Sequence, residues 1–331
     1  MAATTVIHPA RSLAGSITVP GDEWVSHYYA IIAALADGTS KLENFSNAAG
    51  PHATLDALRA LGVEIDENGS EVTIRGIGLD PRLASLEKGT KAAMLLGGMF
   101  RDGETLLNEP VRSPDHFELA LRYFGARITT GRRTSTLRGR SRLAARDVVI
   151  PGDLSMAAYF LVAALLVRGS DLYLKNVGLN PTRSAFLDLV SSGGADLRIE
   201  SVAQVNAELI GDIRIRYSSL RGGTVETIAA AELPALAVLA AVSEEGISFR
   251  DPIPAPASDN LRRMGIRVEP SFIPGGQTFC AADLDSHGDE PVAMACAVAA
   301  LAAGGLCSIA HAPSTRFIEF VTILNQVTGS E

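Results

Sequence analysis

The stretch VPGDEWVSHYYAIIAALADGTSKLENF, Val19 to Phe45, crowds titratable and aromatic groups into what reads as the first turn of a helix. A strand ends at Pro-Gly-Asp and an Ala-rich helix follows, a layout that offers backbone N–H groups to an anion. Yet Glu23, Trp24 and Tyr28 occupy that turn, and a glutamate repels an anion. Related residue types recur farther along: Ser113, Asp115 and His116 in SPDHF, Glu232 before LPALAV, Ser258 and Asp259 in PASDN, and Asp285, His287, Asp289 and Glu290 in DSHGDEP. Carboxylate and imidazole groups can remove a proton and protonate a departing hydroxyl, the two halves of an elimination.

The elements that must position these groups repeat along the chain. Each copy has a polar turn, an Ala-rich helix, a Gly turn, a short strand, a second helix ending near Gly, and a further strand. The second-helix endings LRALGVEI, LRYFGARI, LVSSGGADLRI and LRRMGIRVE place Gly62, Gly125, Gly194 and Gly265 at spacings of 63, 69 and 71 residues, as expected for helices closed by a C′ glycine. A fifth copy ends the chain. The first helices are apolar nearly all round, which predicts burial inside a domain with the sheets outside them. Running parallel, they gather their positive N-terminal ends at one end of each domain. Asp22 and Asp153 read as helix caps.

Composition narrows the field. The chain has 331 residues, 47% apolar and 20% charged, enough for two domains with substantial cores. A formal charge of −8 excludes a nucleic-acid footprint, and the basic run Arg132 to Arg146 lacks interleaved aromatics and reads as a solvated hairpin. Cys280, Cys296 and Cys307 lie among apolar residues without ligand spacing, so core packing is expected, with no metal and no cofactor. The N-terminus has no apolar leader and no apolar run spans a bilayer, so a cytoplasmic protein is expected.

VPGDEWVSH, IPGDLSMAAYFLVAALL, NVGLNPTR, ELPALAVLAA and DSHGDEPVAMACAVAAL resemble the signatures of the enolpyruvyl transferases, of the 5-enolpyruvylshikimate-3-phosphate synthase type. The resemblance covers nearly the whole chain. It implies an α/β fold, a two-domain inside-out α/β barrel of βαβαββ units, hinged and closing on phosphoshikimate and phosphoenolpyruvate. It also implies that the N-terminal segment crosses to the second domain. The expected smaller lobe is 17–149, with two units, and the larger is 1–16 plus 150–331, with three. That makes five units where the family has six. After IRGIGLDPRLAS the chain passes directly to LEKGTKAAMLLGG, omitting the unit that opens with the family's Asn-Ser-Gly-Thr motif and carries an arginine for phosphoenolpyruvate.

Against the family pattern, Glu23 and Tyr28 replace a lysine and an arginine that meet phosphate and carboxylate groups, and Trp24 replaces a serine. Glu87, Lys88 and Gly89 stand where the family's Ser-Ala-Gln grips the shikimate ring. Ala231 replaces a general-base aspartate, Glu290 and Pro291 replace His-Arg, and the C-terminal lysine falls near Thr315. Losing one charge-assisted phosphate contact costs about 2 to 3 kcal/mol, while a helix dipole supplies only about 0.3 to 1. The turn is therefore expected to hold something less anionic, and more apolar on one side, than a phosphorylated sugar acid.

The expected function is accordingly a lyase, a dehydratase acting on a shikimate-related cyclohexene carboxylate in specialised metabolism. Glu23, His116 and Glu290 are the candidates for proton transfer. Trp24 and Tyr28 form an apolar wall, and Ser26, His27, Ser113, Glu232, Asp259 and His287 complete the substrate site. Arg183 reads as structural, away from the cleft. Two alternatives stand beside this reading: a non-catalytic binding or partner protein with a decayed site, and a residual 3-phosphoshikimate 1-carboxyvinyltransferase. A homodimer is expected where the missing unit leaves an apolar side of the smaller lobe open.

Overall fold

The computed structural model of the chain describes residues 4–86, 90–313 and 315–329. Strands β1 (Thr5–Ile7) and β2 (Ala14–Thr18) lead into a first unit: α1 (Glu23–Leu35), β3 (Asp37–Glu43), α2 (Ala49–Ala60), β4 (Glu64–Asn68) and β5 (Glu71–Ile77). A 3-10 turn, Pro81–Ser85, precedes the second: α3 (Thr90–Met99), β6 (Glu104–Asn108), α4 (His116–Tyr123), β7 (Ile128–Thr130) and β8 (Thr134–Arg138). Strand β9 (Val148–Val149) opens the third, with α5 (Leu154–Leu166), β10 (Asp171–Gly178), α6 (Ala185–Ser192), β11 (Asp196–Val205) and β12 (Glu208–Arg216). The fourth is β13 (Gly223–Val225), α7 (Leu233–Val242), β14 (Ile247–Phe249), α8 (Ala255–Arg263) and β15 (Phe272–Ile273). The fifth is β16 (Asp283–Asp285), α9 (Glu290–Leu301), β17 (Cys307–Ala310) and α10 (Arg316–Val327).

Gly62, Gly125, Gly194 and Gly265 all have φ between +83° and +102°, the left-handed conformation that ends their helices and that a Cβ would strain. The basic run falls on the β7–β8 hairpin and the segment after it, with Arg132 and Arg133 exposed at the tip.

Two hydrophobic cores form. One gathers Val25 to Ile150; the other gathers Ile7 to Val19 with Leu154 to Val327. The chain weaves between them. Strand β2 lies parallel to β10 in the larger lobe and then feeds α1 in the smaller, while β9 lies parallel to β3 in the smaller lobe and feeds α5 in the larger. β1 pairs antiparallel with β17, which fixes the N-terminal segment on the larger lobe.

Burial of the first helices is uneven. α5, α7 and α9 are buried along nearly their whole length and pack on one another, but Met94 of α3 is 52% exposed. The expectation that all five are wrapped therefore fails at α3, because among the described residues no third helix of this kind shares its lobe. The cysteines also divide: Cys296 and Cys307 are buried, whereas Cys280 is exposed, contrary to its expected core place.

Candidate functional site

Two Pro-Gly-Asp turns meet where the lobes join. The Asp22 N–H donates to Pro151 O at 2.8 Å, and the Asp153 N–H donates to Pro20 O at 2.9 Å. Gly21 bridges Gly152 there, and a Cβ on Gly21 would fall 1.8 Å from the Asn44 carbonyl oxygen, so no larger residue fits the crossing. Both aspartates cap as the sequence implies: Asp22 accepts from the Val25 N–H at 3.0 Å, and Asp153 from the Ser155 N–H at 2.8 Å. Their free oxygens turn toward two arginines.

Arg316, the first residue of α10, is buried and bonded to Asp153; its Nη1 also lies 3.3 Å from Glu23 and 3.5 Å from Glu290. A cation at a helix N-terminus opposes that helix's own dipole, so carboxylates from α1, α9 and the turn before α5 must hold it. Arg183 donates to Asp22 at 2.6 Å and to Ser155 Oγ at 2.8 Å, and the serine hydroxyl in turn donates to Glu232 at 2.9 Å. Burial pushes Glu232 up to about 7, only partly opposed by Ser155 and Arg183. Burial likewise raises Glu23 and Glu290, with Arg316 pulling both back. Burial pushes the Asp22 carboxyl up, but Arg183, His116, the Val25 N–H and Arg316 together outweigh it and the net shift is downward.

His116 begins α4 in the smaller lobe and is met by Glu208, the first residue of β12 in the larger, at 2.8 Å. Burial pulls its pKa down, but the Glu208 carboxylate prevails and the net shift is upward. Asn180 donates to Asp115 at 2.8 Å beside this pair. Tyr29 donates to Asn206 O at 2.6 Å, a further tie between the lobes.

The structure thus brings Glu23, Glu290 and Glu232 to one arginine-bearing cluster, while His116 bonds to Glu208 next to it. Trp24 is 55% exposed, its ring 6.1 Å from that of Tyr28, which meets Phe117 edge-on at 5.2 Å. His27 Nδ1 lies 2.5 Å from Thr54 Oγ1, and Ser26 is buried, accepting from the Ser46 N–H at 3.0 Å. Other candidates sit apart. Ser113 bonds to Glu109 and Lys91 within the second unit, Asp259 pairs with Arg262 on the exposed face of α8, and His287 is exposed beside Asp285. Glu87, Lys88 and Gly89 lie outside the described residues.

Two residues need correction. Arg183, read as structural and away from the cleft, stands inside the cluster because the turn after β10 carries it over α5. Arg316 was not singled out; its one signal was its place directly after Thr315, where the family's last lysine falls. Among the described residues no group of three or more His, Cys, Asp or Glu side chains is placed to hold a metal, and no helix is long and apolar enough to cross a membrane.

Comparison with known proteins follows the same outline. The EPSP synthase (3-phosphoshikimate 1-carboxyvinyltransferase) profile matches residues 7–88 and 80–323, two segments that meet at the proposed deletion. A 3-phosphoshikimate 1-carboxyvinyltransferase of Solibacter usitatus is 38% identical, covering 97% of this chain and 99% of that protein; one of Geobacter sp. is 31% identical over 97% and 98%. The Solibacter alignment spans 420 residues, more than this chain's 331, so the relative carries a long stretch that this chain lacks. Among solved structures, EPSP synthase from Acinetobacter baumannii superposes with a TM-score of 0.85 at 26% identity, covering 98% of both chains. The enolpyruvyl transferase NikO from Streptomyces tendae shares the fold at a TM-score of 0.81, 18% identity and coverage of 100% and 98%. These findings overturn the expected lyase: the similar proteins are named as carboxyvinyl transferases, and none of them points to a dehydratase. Glu23 and Glu290, the carboxylates expected to transfer protons, both pair with Arg316.

Proposed function

The chain belongs to the EPSP synthase (3-phosphoshikimate 1-carboxyvinyltransferase) family, and from that premise we propose that it is a non-catalytic member whose cleft is closed from within. The observation that carries this reading is Arg316, held at once by Asp153, Glu23 and Glu290 across the junction of the lobes. Where the family pattern has a lysine for anionic ligands, this chain has a glutamate that engages its own arginine. Among the described residues, the arginines that engage Asp22, Glu23, Asp153 and Glu290 here are Arg183 and Arg316, Glu232 is tied to Arg183 through Ser155, and His116 and His27 add weaker positive influence on Asp22 and Glu23. A phosphate or enolpyruvate entering there must displace a carboxylate from an arginine and then sit beside it, which like-charge repulsion opposes.

A second reading, residual 3-phosphoshikimate 1-carboxyvinyl transfer, is favoured by the name and 38% identity of the Solibacter relative. Calorimetry with phosphoenolpyruvate and phosphoshikimate at millimolar concentration, with mass spectrometry of the mixture, decides between them. No heat and no enolpyruvyl product supports the closed cleft; product that forms with stoichiometric phosphate release replaces it with the second reading. An unphosphorylated cyclohexene carboxylate belongs in the same titration. It carries one negative charge and presents an apolar ring to Trp24 and Tyr28.

A further inference from the structure

Four of the five sheets place a parallel strand beside the strand that follows a buried helix: β9 beside β3, β2 beside β10, β13 beside β14 and β16 beside β17. Each of these parallel strands leads into a buried helix, respectively α5, α1, α7 and α9. α3 is preceded instead by the 3-10 turn Pro81–Ser85, and its sheet runs β6-β8-β7. Among the described residues, β6 therefore has no strand on its outer side. The two family matches meet at 80–88, directly before α3, so the strand that would fill this edge lies in the stretch the chain lacks.

The free edge has a defined chemistry. The Gly139 N–H donates to Gly103 O and the Glu109 N–H to Arg133 O, each at 2.9 Å, while β6 pairs with β8 from Glu104–Arg138 to Asn108–Thr134. In an antiparallel ladder alternate residues bond to the neighbour, so Gly103, Thr105, Leu107 and Glu109 face β8. The N–H and C=O groups of Glu104, Leu106 and Asn108 then point out of the edge. Leu106 is 61% exposed, and Pro110 lies past the strand, where it blocks none of these donors.

We propose that a second copy of the chain docks on this edge, with β6 pairing antiparallel to β6 of the partner about a two-fold axis through Leu106. The strand is its own complement in that register. Leu106 faces its counterpart, Glu104 faces Asn108 of the partner subunit, and the outward N–H and C=O groups exchange bonds reciprocally. A register centred on Glu104 would set two like charges opposite each other, whereas the register about Leu106 pairs all three outward residues without a like-charge contact. The two-fold closes after two copies, so the open edge is consumed and cannot propagate. This inference does not depend on whether the cleft is active.

Sedimentation velocity at micromolar protein tests it. The wild type sediments as a dimer. Leu106→Pro removes an N–H that points away from β8 and has no strand beside it among the described residues, and it yields a monomer with an unchanged circular dichroism spectrum. Asn108→Lys, facing Glu104 of the partner subunit, tightens the dimer and Asn108→Glu loosens it, each by roughly two- to tenfold. The Asn108 pair decides the matter if Leu106→Pro fails to fold. Protection of the Leu106 amide from hydrogen exchange rises with protein concentration. A monomeric wild type overturns the proposal, as does a dimer indifferent to the Asn108 charge. An edge protected only when a different protein is added also overturns it.

Discussion

In the larger lobe α5, α7 and α9 pack on one another in all three pairings, whereas in the smaller lobe α1 packs on α2 and α4, and α3 on β6, β8 and the 3-10 turn. The helices are similar in kind, short, Ala-rich and nearly without a polar face. Their fates differ because burial belongs to a set of neighbours and not to a helix. With three helices, every side of each meets another helix or a sheet. With two, α3 keeps Ala93, Met94 and Gly97 wholly or partly exposed, and a Cβ added at Gly97 would meet nothing within 4 Å. The hydrophobic gain of such a helix scales with the area removed from water, so the smaller lobe is the weaker of the two.

The contrast is open to tests, the largest concerning what binds the lobes together. Arg316→Met leaves buried Asp153 with only the longer contact to Arg183, at 3.9 Å, and should destabilise the chain by about 3 kcal/mol. In urea, the wild type is expected to unfold in one transition and the variant in two, with Trp24, the only tryptophan, reporting earlier loss of the smaller lobe. One undivided transition in the variant would show that the lobes cohere without this arginine. Next comes core packing. Leu236→Ala, at a fully buried position of α7, should cost about 2 to 5 kcal/mol, and Met94→Ala on α3 less than about 1. Comparable losses would erase the distinction drawn between the lobes.

Glu232 sharpens the comparison through pH. Its carboxyl is raised from 4.5 to about 7, so across that window the folded chain holds a proton that the unfolded chain has released, and stability falls as pH rises. Glu232→Gln keeps an acceptor for Ser155 without the charge. Thermal melts should match the wild type near pH 4.5 and gain on the order of 3 kcal/mol at pH 8. A gain at both ends would point to packing and not to ionisation. The smallest effect sets two adjacent glycines against each other. Gly97→Ala fills open space and should stabilise α3 by about 0.5 to 1 kcal/mol. Gly98→Ala would bring a methyl 2.8 Å from Thr105 Oγ1 and should destabilise it.

The sequence by itself determined the repeat: five apolar helices, second helices closed by glycines with positive φ, aspartate caps at two Pro-Gly-Asp turns, and a break before α3. These are local matters, set by periodicity, backbone sterics and hydrogen bonds a few residues apart. It also located Glu23, Glu232 and Glu290 at helix starts, because helix N-termini converge when helices run parallel. Only the tertiary structure decided which of these groups meet. Arg316 lies 293 residues from Glu23 and Arg183 lies 161 from Asp22. Nothing in the spacing of such distant residues says that an arginine opening one helix will be neutralised by acids opening others. The same holds for β6, whose five residues read as an ordinary strand; its open edge exists because a strand that other units supply is absent. Ion pairing and edge pairing depend on what stands opposite in space, and that is fixed by how the units pack.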